Sequence, residues 1–189
     1  MFDEKVAAVM QHVDQLRDQV DDHWQIPRDE ALLLAQIVRL RGCRSLCEIG
    51  TSYGFSTLHL SAAACEIGGH VHTIDIDPRK TEAACAHLQE AGLIDYVTLH
   101  TGDAREVVEN LQPDEPFDFA FIDAIKAQCF DYLKVLMPKL ANRAVVITDN
   151  TTTHADELAP FVDHLRGLKG AVSCGIPVGN GIELTLLDR

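Results

Sequence analysis

The sequence predicts an α/β protein with a Rossmann-like, doubly wound, mostly parallel seven-stranded sheet, helices on both faces and a reversed last strand. Three observations carry that expectation. Short apolar runs alternate with helical stretches from about residue 43 onward, polar or glycine residues recur where the runs end, and the last two runs are joined only by Pro177-Val178-Gly179-Asn180-Gly181. Strict alternation of strand and helix implies right-handed crossovers and a parallel sheet covered on both faces. So short a final link suits an antiparallel hairpin instead.

The elements follow in order. From Phe2 to about Asp22, the residues Val6, Val9, Met10, Val13, Leu16 and Val20 recur at the three- and four-residue steps of an amphipathic helix, which Pro27 interrupts. A second helix is expected from Asp29 to about Arg41. Strands are then expected at Ser45–Ile49, Val71–Ile76, Tyr96–His100, Phe117–Ile122, Ala144–Thr148, Ala171–Gly175 and Ile182–Leu187. The helices between them would run over Ser56–Glu66, Pro78–Ala91, Ala104–Leu111, Ala127–Leu140 and Ala155–Leu168. At 189 residues and 47% hydrophobic content the chain can bury one sizeable core, so a single domain over 1–189 is expected, with N-terminal helices in 1–42 and the ligand-binding core in 43–189.

Composition narrows the partners. A formal charge of −13 argues against nucleic acid, which needs clustered Lys and Arg. The apolar runs fall well short of a membrane span, and Met1-Phe2-Asp3-Glu4-Lys5 does not read as a secretory signal, so a cytoplasmic location is the expectation. Six cysteines without a Cys-x-x-Cys pair read as reduced, mostly buried thiols.

Ligands of open α/β sheets bind beyond the carboxyl ends of the strands. Here those ends are Glu48-Ile49-Gly50, Asp75-Ile76-Asp77, Gly102-Asp103-Ala104, Asp123 and Asp149-Asn150. Any one of them suits an ordinary turn or helix cap; five at one edge favour a site. Gly50-Thr51-Ser52-Tyr53-Gly54 departs from the dinucleotide fingerprint and lacks the Lys-Ser/Thr ending of a phosphate loop. It would let backbone approach a ligand closely, with free N–H groups at the next helix start for a carboxylate. Asp75 stands where an acid after the second strand accepts from a ribose diol. A nucleoside carrying a carboxylate fits this arrangement, while a plain tight turn remains open for the glycine loop alone. His70-x-His72 and His154 read more simply as turn, edge or loop residues, and Trp24 and Phe55 as packing or pocket-wall residues.

CEIGTSYGFST from Cys47, TIDIDP from Thr73, TGDA from Thr101, FDFAFIDAIK from Phe117 and VVITDN from Val145 resemble the class I S-adenosylmethionine-dependent methyltransferases. Within that class they are most similar to the cation-dependent O-methyltransferases of the catechol and caffeoyl-CoA type. The resemblance implies that Glu48, Gly50, Ser52, Gly54 and Ser56 line the methionine end of S-adenosylmethionine, with Ser56 near its carboxylate. It implies that Asp75 holds the ribose and that Asp103 and Ala104 border the adenine, with Thr51, Ile76 and Asp123 also on the cofactor's side. Asp123, Asp149 and Asn150 would be ligands of a divalent cation, Mg²⁺ by the chemistry of three oxygen donors. Lys126 would be the general base, with Asp123 beside it in catalysis, and the partners would be a small hydroxyl-bearing acceptor and a second copy of the chain. Ile125 stands where bacterial relatives carry a second acid, and Thr151-Thr152-Thr153-His154 replaces an apolar and aromatic stretch, so the acceptor is the least defined part. The rival readings are a metal-independent N-, S- or O-methyltransferase and a non-catalytic S-adenosylmethionine-binding protein.

Overall fold

Seven strands form one continuous sheet in the computed structural model of the protein, which describes residues 2–188. The strands are β1 (Ser45–Ile49), β2 (His70–Asp75), β3 (Val97–Thr101), β4 (Phe117–Ile122), β5 (Leu140–Thr148), β6 (Ala171–Ile176) and β7 (Ile182–Leu187). Their spatial order is β3-β2-β1-β4-β5-β7-β6. β1 to β5 pair in parallel, and β7 pairs antiparallel with both β5 and β6. The reversed strand is therefore last in sequence but interior in space, with β6 at the edge.

Helices α1 (Glu4–Gln15), α2 (Arg28–Arg41), α3 (Phe55–Ile67) and α4 (Pro78–Ala91) lie on one face, and α5 (Ala104–Asn110), α6 (Cys129–Leu136) and α7 (Ala155–Gly167) on the other. Alternate strand residues divide between the faces, as the pleat requires. Leu46, Phe119, Phe121, Val145 and Ile147 pack with α1 to α3, whereas Cys47, Ile49, Ala120, Ile122 and Val146 pack with α5 to α7. Phe117 breaks the alternation, falling on the face opposite Phe119, and the β4–β5 register shifts between those two residues. A shifted register of this kind turns side chains to the other face.

Three expected boundaries move for physical reasons. α1 ends at Gln15 and is followed by a 3₁₀ turn over Leu16–Asp18. There the Arg17 guanidinium donates to the carbonyls of Gln25 and Ile26 at 3.1 and 3.0 Å, tying the returning chain across the helix end. The stretch expected as one helix over Ala127–Leu140 is α6 flanked by 3₁₀ turns, the second holding Pro138, which has no N–H to extend an α-helical ladder. β5 begins at Leu140, because that residue already pairs with Phe117. Among the described residues no helix is long and apolar enough to cross a membrane. The six thiols are free, with Cys43, Cys47 and Cys129 buried, Cys65 and Cys85 half-buried and Cys174 exposed.

Candidate functional site

The carboxyl ends of β1 to β5 open onto one cavity of about 970 Å³, lined along this edge by Gly50, Asp75, Asp103, Asp123, Asp149 and Asn150. The sequence-expected edge residues of all five strands thus meet in one place. The β1 end and the β4 end are locked together: the Asp123 N–H donates to the Ile49 carbonyl at 2.9 Å, and a Cβ at Gly50, whose φ is +108°, would run into the Asp123 carbonyl oxygen. Only glycine permits that approach.

On the β1–β3 side the polar groups are largely satisfied by their own neighbourhood. Asp75 accepts the Ser52 N–H at 2.7 Å and the Asp77 N–H at 2.9 Å, and its carboxylate still faces the cavity. A carboxylate has about four acceptor sites, so two remain for a diol. Asp103 caps α5 through the Arg105 N–H and is ion-paired with the Arg105 guanidinium at 2.5 Å, whose hydrogen bonds hold its carboxyl below the usual carboxylate range. Ala104 and Ile76 also line the cavity, and Ile76 is exposed there.

Glu48, Thr51, Gly54 and Ser56 stand behind this wall, while Gly50 and Ser52 form it. Glu48 is fully buried, and its Oε2 accepts from the hydroxyls of Thr57 at 2.5 Å and Thr73 at 2.6 Å. Its Oε1 has no hydrogen-bond partner. Burial pushes the carboxyl up to about 7 against the opposing effect of the neighbouring Ser56, Thr57 and Thr73. The Thr51 hydroxyl pairs with that of Thr73 at 2.5 Å.

The β4–β5 side is built differently. Lys126 Nζ lies 3.0 Å from Asp123 Oδ1 across a short bend, and a 3₁₀ turn starts at Lys126 itself. Asp149 is almost wholly buried, and its Oδ1 accepts the Asn150 N–H at 2.5 Å. Asn150 adopts a left-handed conformation with φ +67°, and its Oδ1 is buried with no donor, although its Nδ2 donates to Thr153 at 3.3 Å. Burial, and then the Asp123 charge, raise the Asp149 carboxyl. Among the described residues no three His, Cys, Asp or Glu side chains converge as a metal site; the donors here are two carboxylates and an amide oxygen. A hard divalent cation fits that set, supplying the charge the two acids lack and a partner for the orphaned amide oxygen.

Two residues of this side carry no expectation from sequence motifs. Glu30, in the first turn of α2, is fully buried, and its Oε2 accepts the Asn180 N–H at 3.1 Å. Asn180, in the β6–β7 loop, turns its Nδ2 to Asp149 Oδ2 at 3.4 Å. Burial, then the Asp149 charge, raise the Glu30 carboxyl. A signal for Glu30 did exist, since it lies one helical turn before Leu34 and two before Val38 on the buried face of α2.

The remaining sequence candidates separate. His154 and Trp24 border the cavity, and Trp24 is exposed at its mouth. Phe55 is buried core. His70 pairs with Thr98 at 2.8 Å and His72 with His100 at 3.2 Å, outside the residues that line the cavity.

Comparison with known proteins agrees with this geometry. The sequence model of a family described as O-methyltransferase matches residues 4–165. Caffeoyl-CoA O-methyltransferase 1 of Eucalyptus globulus is 28% identical over 195 aligned residues, covering 90% of this chain and 79% of its own. Catechol O-methyltransferase of Mycobacterium tuberculosis is 36% identical over 120 residues, 64% of this chain and 54% of its own. Among solved structures, the O-methyltransferase TomG of Streptomyces achromogenes in complex with SAM superposes with a TM-score of 0.86 at 26% identity, covering 100% of this chain and 92% of that one. A family model matched over residues 4–165 establishes that the chain belongs to the S-adenosylmethionine-dependent O-methyltransferase family.

Proposed function

We propose that the protein methylates a hydroxyl of a small, catechol-like molecule with the assistance of a divalent cation, Mg²⁺ by donor chemistry. The observation that carries this reading is the pair of acids Asp123 and Asp149 beside a buried amide oxygen of Asn150 that has no donor. Asp123, Asp149 and Asn150 would hold the cation. Bound there, it would favour the ionised form of an acceptor hydroxyl, a weak nucleophile in water with a pKa of about 10 if phenolic.

Asp123 keeps Lys126 Nζ at 3.0 Å, beside the cavity, where in its neutral form it would take the hydroxyl proton. Asp75 would accept from the ribose diol of S-adenosylmethionine, Ala104 and Ile76 would border its base with Asp103 beyond them, and Gly50 and Ser52 would face its methionine end. Glu48, Thr51, Gly54 and Ser56 would shape that end from behind the loop, with Glu48 Oε1 the buried acceptor turned to it. Fixing donor and acceptor in one cavity supplies much of the rate for an in-line methyl transfer. A single domain over 1–189, expected from size, a cytoplasmic location, expected from composition, and a homodimer, implied by the family resemblance, complete this reading.

The test is calorimetric titration with S-adenosylmethionine, followed by a catechol acceptor with and without Mg²⁺ while S-adenosylhomocysteine formation is measured. Turnover that requires the cation supports the reading; equal turnover after chelation overturns the cation's part in it.

A further inference from the structure

Glu30 is an expensive residue to keep where it is. A fully buried carboxyl needs partners, and among the described residues it has no ion pair: it accepts one N–H, that of Asn180 at 3.1 Å, and its other polar neighbour is the Asp149 carboxyl, itself an acid. Its neighbours on the same helical face, Ala31, Leu34, Ala35 and Val38, are apolar and equally buried. A side chain kept only for packing would resemble them.

The surroundings indicate what the carboxyl does. The β6–β7 loop passes over Glu30, and Gly179, at φ +56°, is the residue that makes room: a Cβ there would run into Glu30 Oε2. The same loop is pegged to the β5 end, where the Thr151 N–H donates to the Gly181 carbonyl at 2.9 Å and the Thr152 N–H to the Asn180 carbonyl at 3.0 Å. Asn180 is thus gripped on its N–H by Glu30 and on its carbonyl by Thr152, and its side chain donates to Asp149 Oδ2 at 3.4 Å. The remaining oxygen, Glu30 Oε1, is buried without a donor.

We propose that Glu30 is a positioning residue for the cation site, holding the β6–β7 loop so that Asn180 fixes the orientation of the Asp149 carboxylate. The proposal rests on the cation-assisted reading above. Glu30 is not among the proposed ligands, which are Asp123, Asp149 and Asn150. It acts on Asp149 through Asn180 and through its own carboxyl's contact with the Asp149 carboxyl, and its effect falls on cation affinity, not on S-adenosylmethionine, whose site lies on the β1–β3 side. Partners that orient a metal ligand typically change metal affinity about 10- to 100-fold when removed.

The experiment is titration calorimetry of the full chain with MgCl₂ at saturating S-adenosylmethionine, alongside cofactor titrations and thermal melts. Glu30→Ala should weaken Mg²⁺ binding about tenfold or more and leave the cofactor Kd unchanged. Glu30→Gln, which still offers an oxygen to the Asn180 N–H and gains a donor for Asp149, should bind Mg²⁺ within about threefold of wild type. Asn180→Ala keeps the main-chain grip and removes only the link to Asp149; it should weaken Mg²⁺ severalfold without changing the melting temperature, and it decides the matter should Glu30→Ala fail to fold. Wild-type affinity in Asn180→Ala, or loss in Glu30→Gln as complete as in Glu30→Ala, overturns the proposal. A wild-type chain that binds S-adenosylmethionine but not Mg²⁺ overturns the cation reading itself, and the proposal with it.

Discussion

The two halves of the cavity treat their acids in opposite ways. On the β1–β3 side, Asp75 is met by two backbone N–H groups and Asp103 by the Arg105 guanidinium. On the β4–β5 side, Asp149 is driven upward by burial and by Asp123, Glu30 lies buried against Asp149, and the Asn150 oxygen has no donor. The acids that face the cavity in the first half are met as the chain folds. The second leaves buried acceptors that added positive charge would satisfy, so the cofactor and the proposed cation should be separable ligands.

The sharpest way to break this contrast is Asp149→Ala. Its Mg²⁺-dependent kcat should fall about 10³-fold, the several kcal/mol that a bound cation supplies, while the S-adenosylmethionine Kd stays within about threefold. A parallel loss of cofactor binding, measured by calorimetry, would mean that the halves are coupled.

Glu48 tests the one exception on the cofactor side, where a buried acid does keep an oxygen without a partner. Its folded value of about 7 lies above the ordinary 4.5, so the native chain holds more protons than the unfolded chain between those values. Stability therefore falls as pH rises through that window and levels off above it. Glu48→Gln should match wild type near pH 4.5 and exceed it above pH 7, by up to about 3 kcal/mol in urea melts of the cofactor-free protein. Equal stability at both pH values would assign the ionised Glu48 to the satisfied groups.

Asp75→Ala should weaken S-adenosylmethionine about 10- to 100-fold, the loss of hydrogen bonds to a charged acceptor, and leave Mg²⁺ affinity unchanged in the same titrations. The smallest effect belongs to His72, away from both halves. Burial, then His70 and His100, push its imidazole down to about 4. The unfolded chain takes up that proton near 6.5 and the folded chain does not, so stability drains as pH falls from about 6.5 to about 4. His72→Gln should show a smaller drop in Tm between pH 7 and pH 5 than wild type, and an identical drop would assign the acid sensitivity to other groups.

The same contrast explains what the sequence made legible. Strand-and-helix alternation and the polar residues at five strand ends are local signals, and they mark Asp75, Asp103, Asp123, Asp149 and Asn150 along the edge where the cavity forms. Asp123 and Lys126 lie three positions apart at the end of β4, close enough in sequence for a local signal to pair them. Glu30 and Asn180 are separated by 150 positions and meet only because α2 packs beneath the β6–β7 loop. No local pattern encodes that distance, although an acid in phase with a buried helical face marked Glu30 as unusual. The end of α1 escaped for a related reason: Arg17 turns the helix end into a clamp for residues 25 and 26, whereas the apolar period continues to Val20.

Because β7 slots between β5 and β6, its turn arrives at the edge where the parallel strands finish. A nascent chain that has emerged only through α7 has an open β5 edge and no Asn180 beside Asp149. The β1–β3 half takes nothing from that strand or its turn, so the proposed nucleoside and cation sites differ in whether they need the chain beyond α7.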